Sequence, residues 1–443
     1  MIDLSVLDSG SPSRCRHYRL AVEDSDPPLL SSCAAGGGDR HIGPHLSAAQ
    51  QPDAFRLRRV ADRPPWPPLP RRAIWQGERV NILVVNAGSS SLKLRVLDDA
   101  NAVLTRKDLP NLSPEVLGPM LAEVLAGGPA IDAVGHRVVH GGSAFTRPIL
   151  LDEGIDEALQ ALVDLDPLHN PPCLAAIRAL QSARPSLPQV ACFDTSFHID
   201  MPMKANTYAL PRTWREEWGI RRYGFHGLSH EWASHKASEL LGRPREQLRL
   251  VTAHLGAGAS LAAVAFGRSV DTTMGFTPME GLVMATRSGN VDPGLVLWVQ
   301  QSKGLSVADV ERILDSESGL LGLSGESGDL RQVISAADAG NAHASLAYEV
   351  YVYRIQTSVA AMAAAMEGFD GLVFTGGAGE ASSRLRADTC SRLTFLGVRL
   401  DDSRNEGMRR DGSVSLDGAI PAVIVVEARE DLEIARHVRE LLG

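Results

Sequence analysis

Three times along this chain an apolar, strand-like run ends in a turn of very small residues. Ile82–Val85 leads into Asn86-Ala87-Gly88-Ser89-Ser90-Ser91, and Leu92–Val96 then alternates apolar and charged residues, the period of a second strand. Leu248–Leu255 leads into Gly256-Ala257-Gly258-Ala259-Ser260 and then Leu261–Ala265. Gly371–Thr375 leads into Gly376-Gly377-Ala378-Gly379-Glu380. Turns of this kind offer backbone N–H groups to an anion such as a phosphate. The first turn holds neither a Walker-type Gly-Lys-Ser/Thr nor a Gly-x-Gly-x-x-Gly, so neither fingerprint applies to it. Strand-like runs at 133–139 and 189–193 alternate with helix-like ones at Ser113–Leu125, Gly154–Leu165 and Pro172–Ser182. That alternation predicts α/β layers. The repetition predicts two related α/β domains facing one cleft, each lending it a small-residue loop.

The 443 residues are enough for two or three domains. A net charge of −9 argues against a general nucleic-acid binder. The five cysteines are scattered, with no Cys-x-x-Cys pair, which predicts reduced thiols and a cytoplasmic location. No uninterrupted apolar run is long enough to span a membrane. The most apolar long segment, Ser345–Met366, carries Glu349, Arg354 and Gln356, so a buried core helix is expected there. Residues 1–78 differ: they hold ten of the 26 prolines and no lysine. Repeated proline blocks regular structure, so this stretch is read as a disordered extension. The first domain is expected over 79–198, rejoined by a C-terminal helix at 432–443, and the second over 199–431.

Several short segments carry chemistry. Arg137 sits in Gly135-His136-Arg137-Val138-Val139-His140-Gly141-Gly142. Its planar fork matches a carboxylate, either a ligand's or that of a structural ion pair. Asp194 ends an apolar strand, where ligand groups gather in α/β sheets; turn capping is the plainer role. His226 lies between Gly224 and Gly227, in a basic stretch. Arg287 falls in a loop, the expected form for a clamp on phosphoryl oxygens. Asp329 and Arg331, two apart, would point the same way if extended, reading a ribose and base or pairing with each other. Glu430 starts a helical pattern, as a dipole partner or a contributor to a metal's water shell.

In order and spacing these segments resemble the acetokinase family of the sugar-kinase/actin-like superfamily, from about Val80 to Arg436. The most specific pieces are Asn86–Lys93, Gly135–Gly142, Pro167-Leu168-His169-Asn170-Pro171, Phe193–His198, Tyr223–Gly227, Met274–Arg287 and Asp329–Arg331. The resemblance implies two RNase H-like domains of the actin/sugar-kinase type around a central nucleotide cleft. It implies reversible transfer of the ATP γ-phosphoryl group to acetate or another short-chain carboxylate, with Mg²⁺ (Mn²⁺ as the alternative) and a homodimer. Asn86 and Glu430 match metal-site residues, Lys93 a phosphate contact and Arg137 the carboxylate site. Asp194 matches the catalytic aspartate, and His226 and Arg287 the transition-state stabilisers. The nucleotide stretches map to His254, Leu255, Gly256, Ala257 and Gly258; to Asp329, Leu330 and Arg331; and to Gly377, Ala378, Gly379, Glu380 and Ala381. The acyl pocket maps to Val139, Leu168, Phe225 and Pro278, with His169 nearby.

Two positions depart from the family pattern: Ala257 and Ala381 stand where asparagines are usual. Each loses an amide near nucleotide or phosphate, while the backbone N–H groups survive. The nearest alternative is a propionate-preferring kinase, because one methylene changes discrimination by only about 1–3 kcal/mol. A catalytically weakened ATP-binding relative is the reading from a different class.

Overall fold

The first and second small-residue turns both close hairpins. β1 (Ile82–Ala87) pairs antiparallel with β2 (Ser91–Leu97), and β2 with β3 (Val103–Pro110). β4 (Ala133–Val138) and β6 (Gln189–Phe193) continue this sheet in parallel, and β5 (Ile149–Leu150) ends it antiparallel. The order is β3-β2-β1-β4-β6-β5. The second sheet repeats the plan. β7 (Arg249–Leu255), β8 (Ala259–Ala265) and β9 (Arg268–Thr272) form the antiparallel run. β10 (Gly371–Thr375) and β12 (Ala422–Val425) add parallel strands, and β11 (Gly412–Ser413) closes the edge. Its order, β11-β12-β10-β7-β8-β9, matches the first sheet strand for strand. The two sheets are those of the expected α/β fold.

The structure is a computed structural model that describes residues 80–87, 91–110, 114–152, 154–167 and 169–443. The extension expected over 1–78, the turn residues Gly88–Ser90 and Leu168 lie outside the described residues.

The core strands β1, β4, β6, β7 and β10 are buried along most of their length, as strands covered on both sides must be. Helix α1 (Pro114–Gly127) and helix α2 (Asn170–Ala183) cover one face of the first sheet. The C-terminal helix, Glu430–Leu442, covers the other with Ile434, Ala435, Val438 and Leu442. Gly135 makes that fit: a Cβ there would lie 2.4 Å from Ile434 Cγ2. On the second sheet, Ala342–Ala365 is the buried helix expected near 345–366, with Tyr351, Ile355 and Val359 inside. Among the described residues no helix is long and apolar enough to cross a membrane.

Two readings needed correction. The helix expected over 154–165 spans only Ile155–Gln160. Beyond it the bonds tighten to i→i+3, as in Leu165 N–H to Leu162 O at 3.1 Å, and Pro167 disfavours helical geometry at Asp166. The third small-residue turn is a short helix, Gly376–Ala381, rather than a loop.

The helix Gly227–Leu241 meets the C-terminal helix through a buried ion cluster. Arg436 donates to Glu231 Oε1 at 2.8 Å and also to Glu433. His437 Nε2 lies 3.2 Å from Glu231 Oε2. Burial opposes a charge on His437, but Cys192 and Glu231 outweigh it and push its pKa up to about 10.

Candidate active site

Four side chains predicted from separate segments converge at the carboxyl ends of β1, β4 and β6. Arg137, on β4, donates from Nε to Asp194 Oδ1 at 3.0 Å and from Nη2 to Asp194 Oδ2 at 2.5 Å. Its Nη1 donates to Asn86 Oδ1 at 3.3 Å. Asn86 Nδ2 donates to Glu430 Oε2 at 3.0 Å. The amide is thereby oriented by two charged neighbours. Asp194 is 1% exposed. Burial pushes its carboxyl above the ordinary range, with the Arg137 fork pulling against that shift. Burial opposes the Arg137 charge, and the Asp194 carboxylate outweighs it, raising the arginine's pKa. The bidentate edge of Arg137 is thus filled by the chain's own carboxylate, and Nη1 is the donor turned toward Asn86. Lys93 stands opposite Asn86 in the β1–β2 register with an exposed side chain.

Asp194 is held from behind as well. Gly227 N–H donates to Asp194 O at 3.1 Å, and a Cβ at Gly227 would come within 2.0 Å of that oxygen. Only glycine allows the approach. His226, just before it, is left-handed (φ 55°). His226 Nδ1 is 2.9 Å from Ser260 Oγ, and His230 Nε2 is 2.8 Å from the same hydroxyl. The His226 ring stacks on His254 with centroids 4.4 Å apart. Burial, then the neighbouring His254 and Arg137, hold the His226 pKa well below its usual value, so the ring is neutral.

Arg287 reaches the site from the loop after β9. Nε donates to Asp315 Oδ1 at 2.8 Å, Nη1 to Pro278 O at 3.4 Å, and Nη2 meets His169 Nε2 at 2.8 Å. A Cβ built on Gly258 would lie 3.2 Å from His226 Nε2 and 3.8 Å from Arg287 Nη1, so the second hairpin turn, His226 and Arg287 border one space. Val139 and Phe225 are buried in the same apolar cluster, and Pro278 adjoins Arg287 as above. Leu168, expected with them, lies outside the described residues.

The stretches expected to serve a nucleotide sit at the carboxyl edge of the second sheet. His254 and Thr375 are register partners on β7 and β10, which brings the 254–258 turn beside the 376–381 helix. Ala285 N–H donates to Ala257 O at 3.0 Å. A Cβ on Gly328 would lie 2.8 Å from Ala285 O, so the turn before Asp329 packs on that loop. Asp329 is extended, but the chain turns helical at Leu330, so Asp329 and Arg331 do not share a strand face. Asp329 caps the helix Leu330–Asp338, and Arg331 Nη2 donates to Asp329 Oδ2 at 2.6 Å. They pair with each other because the cap turns the chain into a helix. Ala257 and Ala381 are both exposed.

Four side chains of this constellation escaped the sequence reading: Asp166, Asp315, Ser260 and His230. Asp166 is three residues before His169, and His230 four after His226, spacings that put pairs on one helix face. Asp315 carried no signal.

The model of the acetokinase family matches residues 117–436. The chain belongs to that family. The acetate kinase of a Synechococcus strain is 45% identical to it, covering 82% of this chain and 99% of that relative. The crystal structure of Porphyromonas gingivalis acetate kinase superposes with a TM-score of 0.76 at 37% identity, covering 82% of this acetokinase-family chain and all of that one. A propionate kinase from Francisella tularensis gives 0.75 at 35% identity, covering 81% and 98%.

Proposed function

We propose that this protein is a carboxylate phosphotransferase that reversibly moves the γ-phosphoryl group of ATP to acetate, giving acetyl phosphate and ADP. The observation that carries the reading is the meeting of Arg137, Asp194, Asn86 and Glu430 at one edge with Arg287 and His226 bordering a shared space, in a member of this family. A carboxylate needs no base to become a nucleophile. The barrier lies in bringing an anion to a polyanion, so positive charge and position are what the protein must supply.

Arg137 meets the substrate carboxylate through Nη1, the donor not committed to Asp194. Arg287 and His226 attend the charge that spreads over the phosphoryl oxygens. Val139, Phe225 and Pro278 form the acyl pocket. His254–Gly258, Asp329–Arg331, Gly377–Ala381 and Lys93 serve the nucleotide. The transfer is direct and in line, with Asp194 orienting groups rather than accepting phosphate.

Asn86 and Glu430 offer an amide oxygen and a carboxylate, the oxygen donors a hard cation takes. They would hold Mg²⁺, whose chemistry there is neutralisation of phosphate charge. Exposed Leu295, Leu297 and Trp298 on helix Pro293–Lys303 support a homodimer. Three buried free thiols, Cys173, Cys192 and Cys390, fit a cytoplasmic location. The division into 79–198 with 432–443, and 199–431, is supported by each portion's carrying one sheet.

The test is a hydroxylamine trap with Mg-ATP and acetate, propionate or butyrate, on the full chain and on one beginning at Gly77. Acyl hydroxamate, greatest with acetate, is expected from both. A larger kcat/KM with propionate would favour the alternative substrate, and no hydroxamate despite ATP binding would sink the kinase reading.

A further inference from the structure

Arg287 is bound to a side chain that comes from the other half of the sequence. Its Nη2 lies 2.8 Å from Nε2 of His169, the residue that opens helix α2 on the first sheet. A guanidinium has donors and no acceptor and stays protonated at any working pH. The His169 Nε2 therefore accepts, and a neutral imidazole that accepts at Nε2 carries its hydrogen on Nδ1. Nδ1 lies 2.8 Å from Asp166 Oδ1, which also accepts the His169 backbone N–H at 3.3 Å. Both ends of the ring are consistent with a single tautomer.

Asp166 is 4% exposed, and its Oδ2 has no hydrogen-bond partner among the described residues. His169 is its one side-chain partner there. A buried carboxylate whose one side-chain hydrogen bond goes to that ring holds it by direct contact. The arrangement does for an arginine what a buried carboxylate does for the histidine of a hydrolytic triad: it selects the tautomer and fixes the ring plane.

We propose that Asp166 is a positioning residue for Arg287, acting through His169 by pinning its hydrogen on Nδ1 so that the Nε2 lone pair holds the guanidinium. Asp166 touches neither substrate nor reacting atoms. With Asp315 fixing Nε and His169 fixing Nη2, the guanidinium plane is set and the remaining N–H bonds of the two Nη atoms are aimed. The inference rests on the reading of Arg287 as the phosphoryl clamp; the tautomer itself does not.

The first measurement is the ¹⁵N spectrum of the histidine side chains in the full-length, ligand-free protein, with His169 assigned from His169→Gln. Hydrogen on Nδ1 and a bare Nε2 are expected. Hydrogen on Nε2 would overturn the proposal. The second is kinetic. Asp166→Asn keeps the shape, but its amide can donate to Nδ1 and force the hydrogen onto Nε2, against Arg287. A fall in kcat of about 10–100-fold is expected, the range for a displaced catalytic group, with the KM values for ATP and acetate little changed. In a His169→Gln background the same substitution should cost nothing more, because the route from Asp166 to Arg287 is already cut. An equal loss in both backgrounds, or no loss in the first, would refute the route. Should Asp166→Asn fail to fold, the spectrum of the unaltered protein decides. A protein that makes no acyl phosphate would remove the clamp reading and leave the tautomer result standing.

Discussion

The two arginines of the site are held in opposite ways. Arg137 gives its planar edge to one buried carboxylate, Asp194, through two bonds. Arg287 spreads three single contacts over Asp315, His169 and the Pro278 carbonyl, and both it and Asp315 keep about 15% of their side-chain surface. The first is a locked pair built into the strands of one sheet. The second is a group on a loop, held at three separate points by partners from different segments. A locked pair stabilises the fold and presents one donor in a fixed place. An arginine held at separate points from a loop costs the fold little and leaves one N–H on each Nη atom for a ligand.

Alanine at the two positions should separate these roles. Arg287→Ala is expected to lower kcat by about 10³–10⁵, the range for an arginine on a transferring phosphoryl group. It should cost only about 1 kcal/mol of stability, since Asp315 can rehydrate. Arg137→Ala leaves Asp194 buried and unpaired, which should destabilise the protein by about 3–5 kcal/mol. Removing the acid too, as Arg137→Ala with Asp194→Ala, should recover much of that loss. Denaturant titration beside steady-state kinetics reads both quantities. Equal stability losses for the two single substitutions would erase the distinction.

That contrast also marks what the sequence could say. The strand-and-small-turn pattern placed β1, β7 and β10 because apolar runs and glycines report local backbone demands. Asp194 and Glu430 were legible because the first follows an apolar strand and the second opens a helical period. The fork of Arg137 was legible as a carboxylate binder, but not that Asp194 would fill it, since 57 residues separate them and only the β4–β6 register joins them. Asp315 was invisible for the same reason: its partner is 28 residues away, beyond the helix Pro293–Lys303, and only the packing of helix Val307–Ser316 joins them. For Asp329 and Arg331 the sequence left open a shared ligand or a mutual pair, and the helix cap at Asp329 gives the pair.

A second buried ion cluster tests whether locking by burial is general here. His437 lies between Glu231 and Glu433, away from the cleft arginines. Its folded pKa of about 10 exceeds an unfolded value near 6.5. The stabilisation is therefore complete below about pH 6.5 and lost as pH rises toward 10. Unfolding free energy should fall across that window more steeply in the native chain than in His437→Gln, because other groups titrating there contribute equally to both. Parallel pH profiles would show that the cluster contributes no such linkage.

The smallest effect concerns neutral donors rather than charges. Ala257 occupies the exposed tip of the β7–β8 hairpin, and its carbonyl is already tied to Ala285 N–H. The backbone at the tip is thus fixed without a side-chain amide, so Ala257→Asn should leave stability unchanged. What it adds is one donor beside the proposed phosphate path. A bond to a charged oxygen is worth about 1.5–3 kcal/mol, and ordering a side chain that was free in solvent takes back part of that. A net gain near 1.4 kcal/mol, or tenfold in ADP affinity, is the expected ceiling. Calorimetric titration of ADP into both proteins measures it. An unchanged affinity would mean that the two arginines and the backbone N–H groups already neutralise the phosphates without a side-chain amide at this tip.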